Sequence, residues 1–234
     1  MRSQADAELA RGRRHRVDVA VHLVEIDVEE RRGEVVQGTC HRDRQRLAPP
    51  DWSTANLIAM SGATHEVLIE RASSLDGMTD GLADLLADAV EGGASVGFVA
   101  PFASGEAASW WRSISDDVKH GRVILLAARE GDRIVGTVQL RLAPLPNARH
   151  RAEVAKLLVH RDARRRGIAR RLLAALEDVA RSEGRTLLVL DTISGSEADH
   201  LYRSLGWTAA GSVPNYAAMP DGTLAPTTYF YREL

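Results

Sequence analysis

The sequence predicts an α/β (α+β) fold in which helices flank a mixed, mostly antiparallel sheet. The predicted order of elements is β-α-α-β-β-β-α-β-α-β-β, and no segment repeats. A strand, a long amphipathic helix and a buried strand follow one another over residues 151–192, which predicts one β-α-β crossover. The chain has 234 residues, of which 44% are hydrophobic, enough for a globular core.

The first half of the predicted domain alternates a strand, two helices and a hairpin. Val67–Arg71 is a short strand, and the helix Gly81–Val90 follows it, capped by Asp76 or Thr79 and ended by Gly92. An apolar loop follows at Ser95–Pro101, and a helix capped by Ser104 spans Gly105–Lys119. Two strands joined by a turn then span Arg122–Arg129 and Arg133–Leu142.

The second half contains the crossover. The strand Arg151–His160 leads to the helix Gly167–Glu183, whose apolar stripe is Ile168, Leu172, Leu176 and Val179. A strand of the buried type follows at Thr186–Thr192, and a helix closed by Gly206 spans Ser196–Leu205. The two final strands are Trp207–Val213 and Thr227–Tyr231.

The first sixty residues differ in composition from the rest. Charge clusters lie at 11–16, 29–34 and 41–46, basic and acidic residues balance over the stretch as a whole, and Pro49-Pro50 interrupts the chain. Met60 then opens a segment that resembles an ordinary protein start. We therefore expect 1–59 to be a disordered or spurious extension and 60–234 to be the functional domain. The alternative is an accessory tail that orders on a partner.

Composition excludes several classes of function. A net charge of −2 argues against a nucleic-acid or acidic-membrane partner. A single cysteine, Cys40, allows neither an internal disulfide framework nor a CxxC metal site, so we expect no metal. There is no apolar run near the roughly 18 residues that span a bilayer, and no signal-peptide pattern. We expect a cytoplasmic protein.

The most informative segment is Val154–Leu173, where an apolar strand runs through an arginine-rich turn into a helix. The first N–H groups of a helix have no internal acceptor, so they can bind a phosphate. Arg164, Arg165 and Arg166 add positive charge there. The spacing Arg164-x-x-Gly167-x-Ala169 is neither a P-loop nor a GxGxxG fingerprint.

That spacing, after a strand end Leu157-Leu158-Val159, resembles the [RQ]-x-x-G-x-[GA] loop of the GNAT N-acetyltransferases. The resemblance implies the GNAT fold, with its acetyl-CoA site at the central β-α-β unit. Acetyl-CoA is then a co-substrate. The residues that it would contact are Leu158, Val159, Arg164, Arg165, Arg166, Gly167, Ile168, Ala169 and Arg170.

Further segments strengthen the resemblance, which covers about 66–234. Ala198-x-x-x-Tyr202-x-x-Leu205-Gly206-Trp207 is similar to the family segment whose tyrosine faces the CoA sulfur. Other segments resemble the tabtoxin resistance acetyltransferase in particular; they begin at Glu91, Glu153, Leu190, Pro214 and Pro220. Two positions depart from the family pattern: Gly195 stands where asparagine is common, and Arg161 where proline is usual.

The resemblance also implies catalytic roles. Tyr202 would donate a proton to the departing thiolate, and Glu153 and Asp191 would bind the acceptor or act as general base. Tyr216 would line the acceptor pocket. The alternatives are a core tyrosine at 202 and carboxylates that only pair with arginines. Other residues near the site have ordinary structural explanations: His160 and His200 as isolated histidines, and Trp110 and Trp111 as packing residues.

These observations predict an acetyl-CoA-dependent N-acetyltransferase acting on the amine of a small molecule. No cysteine lies in 66–234, so direct attack by the acceptor amine is the simplest path. A β-lactam or amino-acid-like toxin, and hence antibiotic resistance, is the acceptor class that the resemblance suggests. The alternatives are acetylation of a polyamine or a peptide amine, and a non-catalytic acyl-CoA-binding sensor. The oligomeric state is left open.

Overall fold

A computed structural model of the protein describes residues 66–234. The expectation that 1–59 forms an extension falls outside the described residues. The domain predicted from residue 60 onward is described from Glu66.

Seven strands form one mixed sheet in the order β1-β2-β3-β4-β5-β7-β6. All neighbouring pairs are antiparallel except β4 and β5, which are parallel. This arrangement confirms the predicted fold class. The strands are β1 (Val67–Arg71), β2 (Val123–Glu130), β3 (Arg133–Leu142), β4 (Arg151–Val159), β5 (Leu187–Ile193), β6 (Thr208–Ala218) and β7 (Leu224–Glu233).

Five helices cover the two faces of the sheet, and each face has its own core. On one face α4 and α5 pack through residues such as Leu172, Leu176 and Tyr202. On the other face α1 and α2 pack through Leu82, Leu86 and Trp111. Strand β2 is apolar at successive positions because both of its faces are buried. The helices are α1 (Thr79–Glu91), α2 (Ser104–Ser113), α3 (Ser115–Lys119), α4 (Ile168–Ser182) and α5 (Glu197–Ser204).

Two predictions about helices were wrong. The segment Gly105–Lys119 is two helices, because Ile114 has ψ near 2° and ends α2. Neither Asp76 nor Thr79 caps α1, whose cap position is Met78; the Thr79 hydroxyl instead donates to the Leu75 carbonyl.

Two other helix starts also bear on the predictions. Ser104 is the first residue of α2 rather than its cap, and the Glu106 carboxylate accepts from the Ala103 N–H at 3.1 Å. Ser196 does cap α5, accepting a hydrogen bond from the Asp199 N–H at 3.2 Å.

Strand β4 contains a bulge that changes which face its side chains occupy. Thr137 of β3 lies opposite Leu158, whereas Gln139 lies opposite Ala155, so one β3 residue opposes two β4 residues, Lys156 and Leu157. Lys156 has φ of 51°, which is rare for a residue with a side chain. Because side chains alternate between faces, the extra residue inverts the alternation after Ala155.

The parallel pairing of β4 with β5 is short. It joins residues 151–153 to residues 187–189 and stops there. The remaining halves of both strands, which carry Lys156 and Asp191, have no pairing across this boundary. A cleft therefore opens at the carboxyl ends of the two parallel strands, the edge at which α/β proteins bind ligands.

Gly136 lets α4 lie close to the sheet. A Cβ atom at this position would lie 3.1 Å from the Ile168 side chain, 3.2 Å from Leu172 and 3.2 Å from the Leu158 carbonyl oxygen. The first two turns of α4 thus rest directly on the backbone of β3. The loop that precedes α4 is positioned by this contact.

We expect Gly136→Val to destabilise the protein by about 1–3 kcal/mol, because added methyl groups would push α4 away from β3. The melting temperature should fall by about 2–4 °C for each kcal/mol. Gly211→Val is the control, since Gly211 is exposed on β6 and no atom lies within 4 Å of its added Cβ. Equal melting temperatures for the two variants would contradict the close packing of α4 on β3.

Candidate active site

The loop before α4 forms the first part of the site. Gly167 is the cap residue of α4, with φ of 76°, and no side chain caps the helix. The first intrahelical bond is made by Arg171, whose N–H donates to the Gly167 carbonyl at 3.1 Å. The N–H groups of Ile168, Ala169 and Arg170 therefore precede the internal hydrogen bonding of the helix and can bind an anion.

The arginines of this loop differ in their contacts. Arg164 donates to the Val159 carbonyl at 3.1 Å, and Arg166 pairs with Glu130 at 2.7 Å. Arg165 is mostly exposed, has φ of 62°, and pairs with Glu197 at 3.0 Å. Arg170 donates to the Ser204 hydroxyl at 2.9 Å. The four arginines lie within residues 164–170, and the pairing of two of them with carboxylates offsets part of the positive charge near the helix terminus.

Other predicted cofactor residues can contribute only through their backbone. The side chains of Leu158 and Ile168 are buried in the two cores on either side of the sheet, and Val159 packs against one of them. Ala169 is half-buried at the start of α4. Gly167 has open space where a side chain would project, so a ligand can approach its backbone.

The turn between β4 and α4 is held by a buried carboxylate on α1. Asp88 accepts from the Arg161 backbone N–H at 3.0 Å and pairs with the Arg161 guanidinium, which also pairs with Glu91. Burial acts to raise the pKa of Asp88, but the hydrogen bonds from Arg161 lower it overall. This pair constrains the turn at the position where the family usually has proline.

Glu153 and Asp191 lie at the point where β4 and β5 separate. Glu153 is opposite Val189 in the last parallel pair, and Asp191 lies two residues further along β5. The Glu153 carboxylate is 3.8 Å from the Arg141 guanidinium. The pKa of Asp191 is raised, first because surrounding protein excludes water and second because the Glu153 charge is close. The two predicted carboxylates thus lie near each other, beside the point where the strands separate.

Tyr202 is buried in the core between α5 and the sheet. Its ring packs against Trp207 at 5.5 Å and Phe230 at 6.0 Å between centroids. Burial raises its pKa, and the Asp191 charge adds to this effect, so the hydroxyl stays protonated near neutral pH. Its packing fits the core alternative, while its electrostatic coupling to Asp191 relates it to the cleft. The two descriptions are compatible for an amphipathic side chain.

Tyr216 and Tyr229 lie together next to Asp191, on strands β6 and β7. Tyr229 is opposite Asp191 in the β5–β7 register, and its ring meets that of the half-exposed Tyr216 at 5.6 Å in an edge-to-face arrangement. Burial and a hydrogen bond with Tyr216 raise the pKa of Tyr229. The position of Tyr229 escaped the sequence prediction, because pairing of β5 with the last strand cannot be read from spacing.

Lys156 is the site residue that the sequence prediction used only as part of a motif. Its ammonium group lies 5.1 Å from the centroid of Trp110 and 5.9 Å from that of Phe98. Its pKa is lowered to about 8, first by loss of water and then by the Arg141 charge, while the Glu153 and Asp191 charges oppose the shift. Trp111 is fully buried, as predicted for a packing residue, whereas Trp110 faces this lysine.

The two histidines lie away from this acceptor side. His160 contacts Asp162 at 2.8 Å and Asp88 at 3.5 Å, next to the turn after β4. His200 is exposed on α5. Within residues 66–234 no group of three His, Cys, Asp or Glu side chains could hold a metal ion. No helix in this range is long and apolar enough to cross a membrane.

Comparison with known proteins identifies relatives of this arrangement. A protein from Azospirillum brasilense, described as an uncharacterized N-acetyltransferase in the hisH-hisA intergenic region, is 35% identical over 130 residues. The match spans 54% of this chain and 75% of that protein.

Solved structures of acetyltransferases have the same fold. An N-acetyltransferase from Staphylococcus aureus Mu50 superposes with a TM-score of 0.60 at 19% identity, covering 72% of this chain and 98% of that one. Ribosomal-protein-alanine N-acetyltransferase from Brucella melitensis superposes with a TM-score of 0.59 at 25% identity, covering 71% of this chain and 99% of that one. The structure of yncA from Salmonella typhimurium, with its cofactor acetyl-CoA, gives 0.59 at 20% identity, with 72% and 94% covered.

The family model described as "Acetyltransferase (GNAT) family" matches residues 86–207, just over half of the chain. The matched range begins within α1, ends after α5 and contains the loop before α4, both carboxylates and Tyr202. The chain therefore belongs to the GNAT family of N-acetyltransferases.

Proposed function

We propose that this N-acetyltransferase moves the acetyl group of acetyl-CoA to the amine of a small molecule. The observation that carries the proposal is the cleft between β4 and β5. An uncapped helix terminus with four arginines lies at one end, and Glu153, Asp191 and Tyr202 surround the other. Acetyl-CoA has matching chemistry, with a pyrophosphate at some distance from a thioester.

The pyrophosphate would bind the N–H groups of the loop 164–169, and the pantetheine arm would extend along the unpaired half of β4. Backbone N–H groups in the same unpaired half of β4 would also polarise the thioester carbonyl. Lys156 and Leu157 lie in the bulge without a register partner of their own, so their backbone N–H groups are candidates for stabilising the oxyanion.

Acetyl transfer needs a deprotonated amine and a protonated leaving group. We infer that Asp191, with its raised pKa, takes the proton of the acceptor ammonium, directly or through water. The amine nitrogen then bonds to the acetyl carbon as the carbon–sulfur bond breaks. The Tyr202 hydroxyl donates a hydrogen bond and a proton to the departing thiolate, and the second proton that the nitrogen loses as the amide forms passes through water to the Tyr202 oxygen. Glu153 would hold the acceptor ammonium and maintain the pKa of Asp191.

The acceptor class is part of the proposal. Two carboxylates favour a cationic amine, and the likeness to the tabtoxin resistance acetyltransferase suggests an amino-acid-like toxin. A peptide amine is the second candidate, because the 25% identical Brucella melitensis structure is a ribosomal-protein-alanine N-acetyltransferase. A CoA-release screen with β-lactam amino acids, polyamines and N-terminal peptides tests these classes. Acetyl-CoA binding without CoA release for any amine would instead favour the sensor alternative.

Gly167→Asp should weaken acetyl-CoA binding by on the order of tenfold or more, because it places a negative charge beside the proposed phosphate site. Gly167→Ala is the control, since it carries the same positive-φ strain without charge. Isothermal titration calorimetry with acetyl-CoA measures both. Equal affinities for the two variants would show that the pyrophosphate binds elsewhere.

Tyr202→Phe should lower kcat on the order of ten- to a thousandfold with little change in acetyl-CoA affinity, because the ring stays and the donor is lost. Its melting temperature serves as the control for core packing. A variant with unchanged kcat would assign Tyr202 to packing alone.

The two carboxylate variants should differ in their pH profiles. Asp191→Asn should abolish the acidic limb of kcat/KM together with most of the activity. Glu153→Gln should move that limb to lower pH, because the neighbouring charge that raises the Asp191 pKa is gone. Asp84→Asn, an exposed change on α1, is the control. An unmoved limb in Glu153→Gln would contradict the assignment of Asp191 as base.

A further inference from the structure

Lys156 is a half-buried cation without an anionic partner. Within residues 66–234, no carboxylate oxygen lies within 4.0 Å of its ammonium group, and no hydrogen bond to that group is present. Its contacts are the ring faces of Trp110 and Phe98 and the backbone near Gly97. An ammonium group held out of water with no carboxylate in direct contact is costly, and cation–π contacts offset only about 0.5–2 kcal/mol of that cost.

The bulge in β4 places this cation on the acceptor side. Residues 153 and 155 share the sheet face that is covered by α1 and α2, as do residues 137, 139 and 141 of the neighbouring strand β3. The positive φ of Lys156 directs its side chain toward Trp110 on that same face. A regular strand would avoid the positive φ of Lys156. Strained backbone conformations of this kind are common at functional sites.

The neighbouring groups on this face are rich in hydrogen-bond donors. Gln139 is fully buried; its side-chain oxygen accepts from Arg141 Nε at 3.2 Å, and its amide nitrogen has no partner within the described residues. Arg141 approaches Glu153 only to 3.8 Å. The donor side chains are thus those of Lys156, Gln139 and Arg141. The nearby carboxylates, Glu153 and Asp191, make no close ion pair with any of them. Buried donors are normally satisfied, so this surface lacks an acceptor group.

We propose that Lys156 is a specificity-determining residue whose ammonium group, assisted by Arg141, binds a carboxylate of the acceptor. The acceptor is then a zwitterion: its amine faces Asp191 and Glu153, and its carboxylate faces Lys156. This inference rests on the proposed function, because it assigns the acceptor to this side of the cleft. The four charges of the pocket sum to zero, which suits a ligand without net charge.

The protonation state of Lys156 should control this binding. Its charge is influenced by Arg141 from β3, Glu153 from β4 and Asp191 from β5, while Phe98 and Trp110 contribute uncharged rings. A bound carboxylate stabilises the ammonium form and therefore raises the pKa of Lys156. Conversely, carboxylate affinity should fall as pH rises through about 8.

The chain contains only two lysines, Lys119 and Lys156, so NMR can test the proposal on the full chain. In protein labelled with [ε-¹³C]lysine, the two signals are assigned with Lys119→Arg and Lys156→Arg. Propionate is the probe, and propionamide and sodium chloride at equal concentration are the controls. At 50 mM propionate and a Kd of about 20 mM, the pKa of Lys156 should rise by about half a pH unit. Lys119, exposed on α3, should not respond.

The propionate experiment decides the proposal without any turnover. A response of Lys156 to propionate alone supports it, even if no amine is acetylated and the proposed function fails. No response, or equal responses to propionate, propionamide and chloride, overturns it, even if CoA release is observed.

Acceptors found by CoA release add a second comparison. Lys156→Met should raise KM at least tenfold for acceptors with a carboxylate and leave KM unchanged for the corresponding carboxamides. Lys119→Met should change neither. Equal losses for acids and amides in Lys156→Met would contradict carboxylate binding and indicate a general effect on the pocket.

Discussion

The short parallel pairing between β4 and β5 is the constraint on which the site depends. Neighbouring parallel strands normally remain hydrogen-bonded to each other along their length, yet the pairing of β4 with β5 ends at Glu153 and Val189. The bulge at Lys156 follows directly on the β4 side, where the register with β3 shifts, and bulges bend a strand and increase its local twist. Each strand keeps its antiparallel partner, β3 or β7, so the sheet remains continuous while a cleft opens within it.

The proposed anion-binding end of the cleft is stabilised from both faces of the sheet. On one face, the absence of a side chain at Gly136 allows α4 to contact β3, which sets the position of its N-terminus. On the other face, Asp88 of α1 binds both the backbone and the guanidinium of Arg161. A buried ion pair contributes little net stability, but it defines a geometry, because breaking it leaves a buried charge. The turn thus has an electrostatic constraint in place of a proline.

The proposed acceptor end of the cleft combines charges of both signs with aromatic side chains. Asp191 and Lys156 both have pKa values moved toward neutrality, in opposite directions, and loss of water is the first cause of each shift. Perturbed pairs of this kind are characteristic of functional sites. The aromatic groups come from distant parts of the chain: Phe98 and Trp110 precede the central strands, and Tyr229 belongs to β7. Such a pocket can distinguish ligands by charge distribution as well as by size.

Local patterns in the sequence were sufficient for the β-α-β unit, the glycine that begins α4 and the family, because helix periodicity and turn chemistry depend on neighbouring residues. The break at Ile114 was missed, since both short helices share one apolar pattern. Only the tertiary structure decided the position of Lys156. Side-chain alternation has a period of two, so a single inserted residue reverses faces, and the sequence Ala155–Leu158 is compatible with either phase. The placement of Tyr229 opposite Asp191, and the separation of β4 from β5, likewise depend on contacts between residues far apart in the chain, which local physical preferences do not specify.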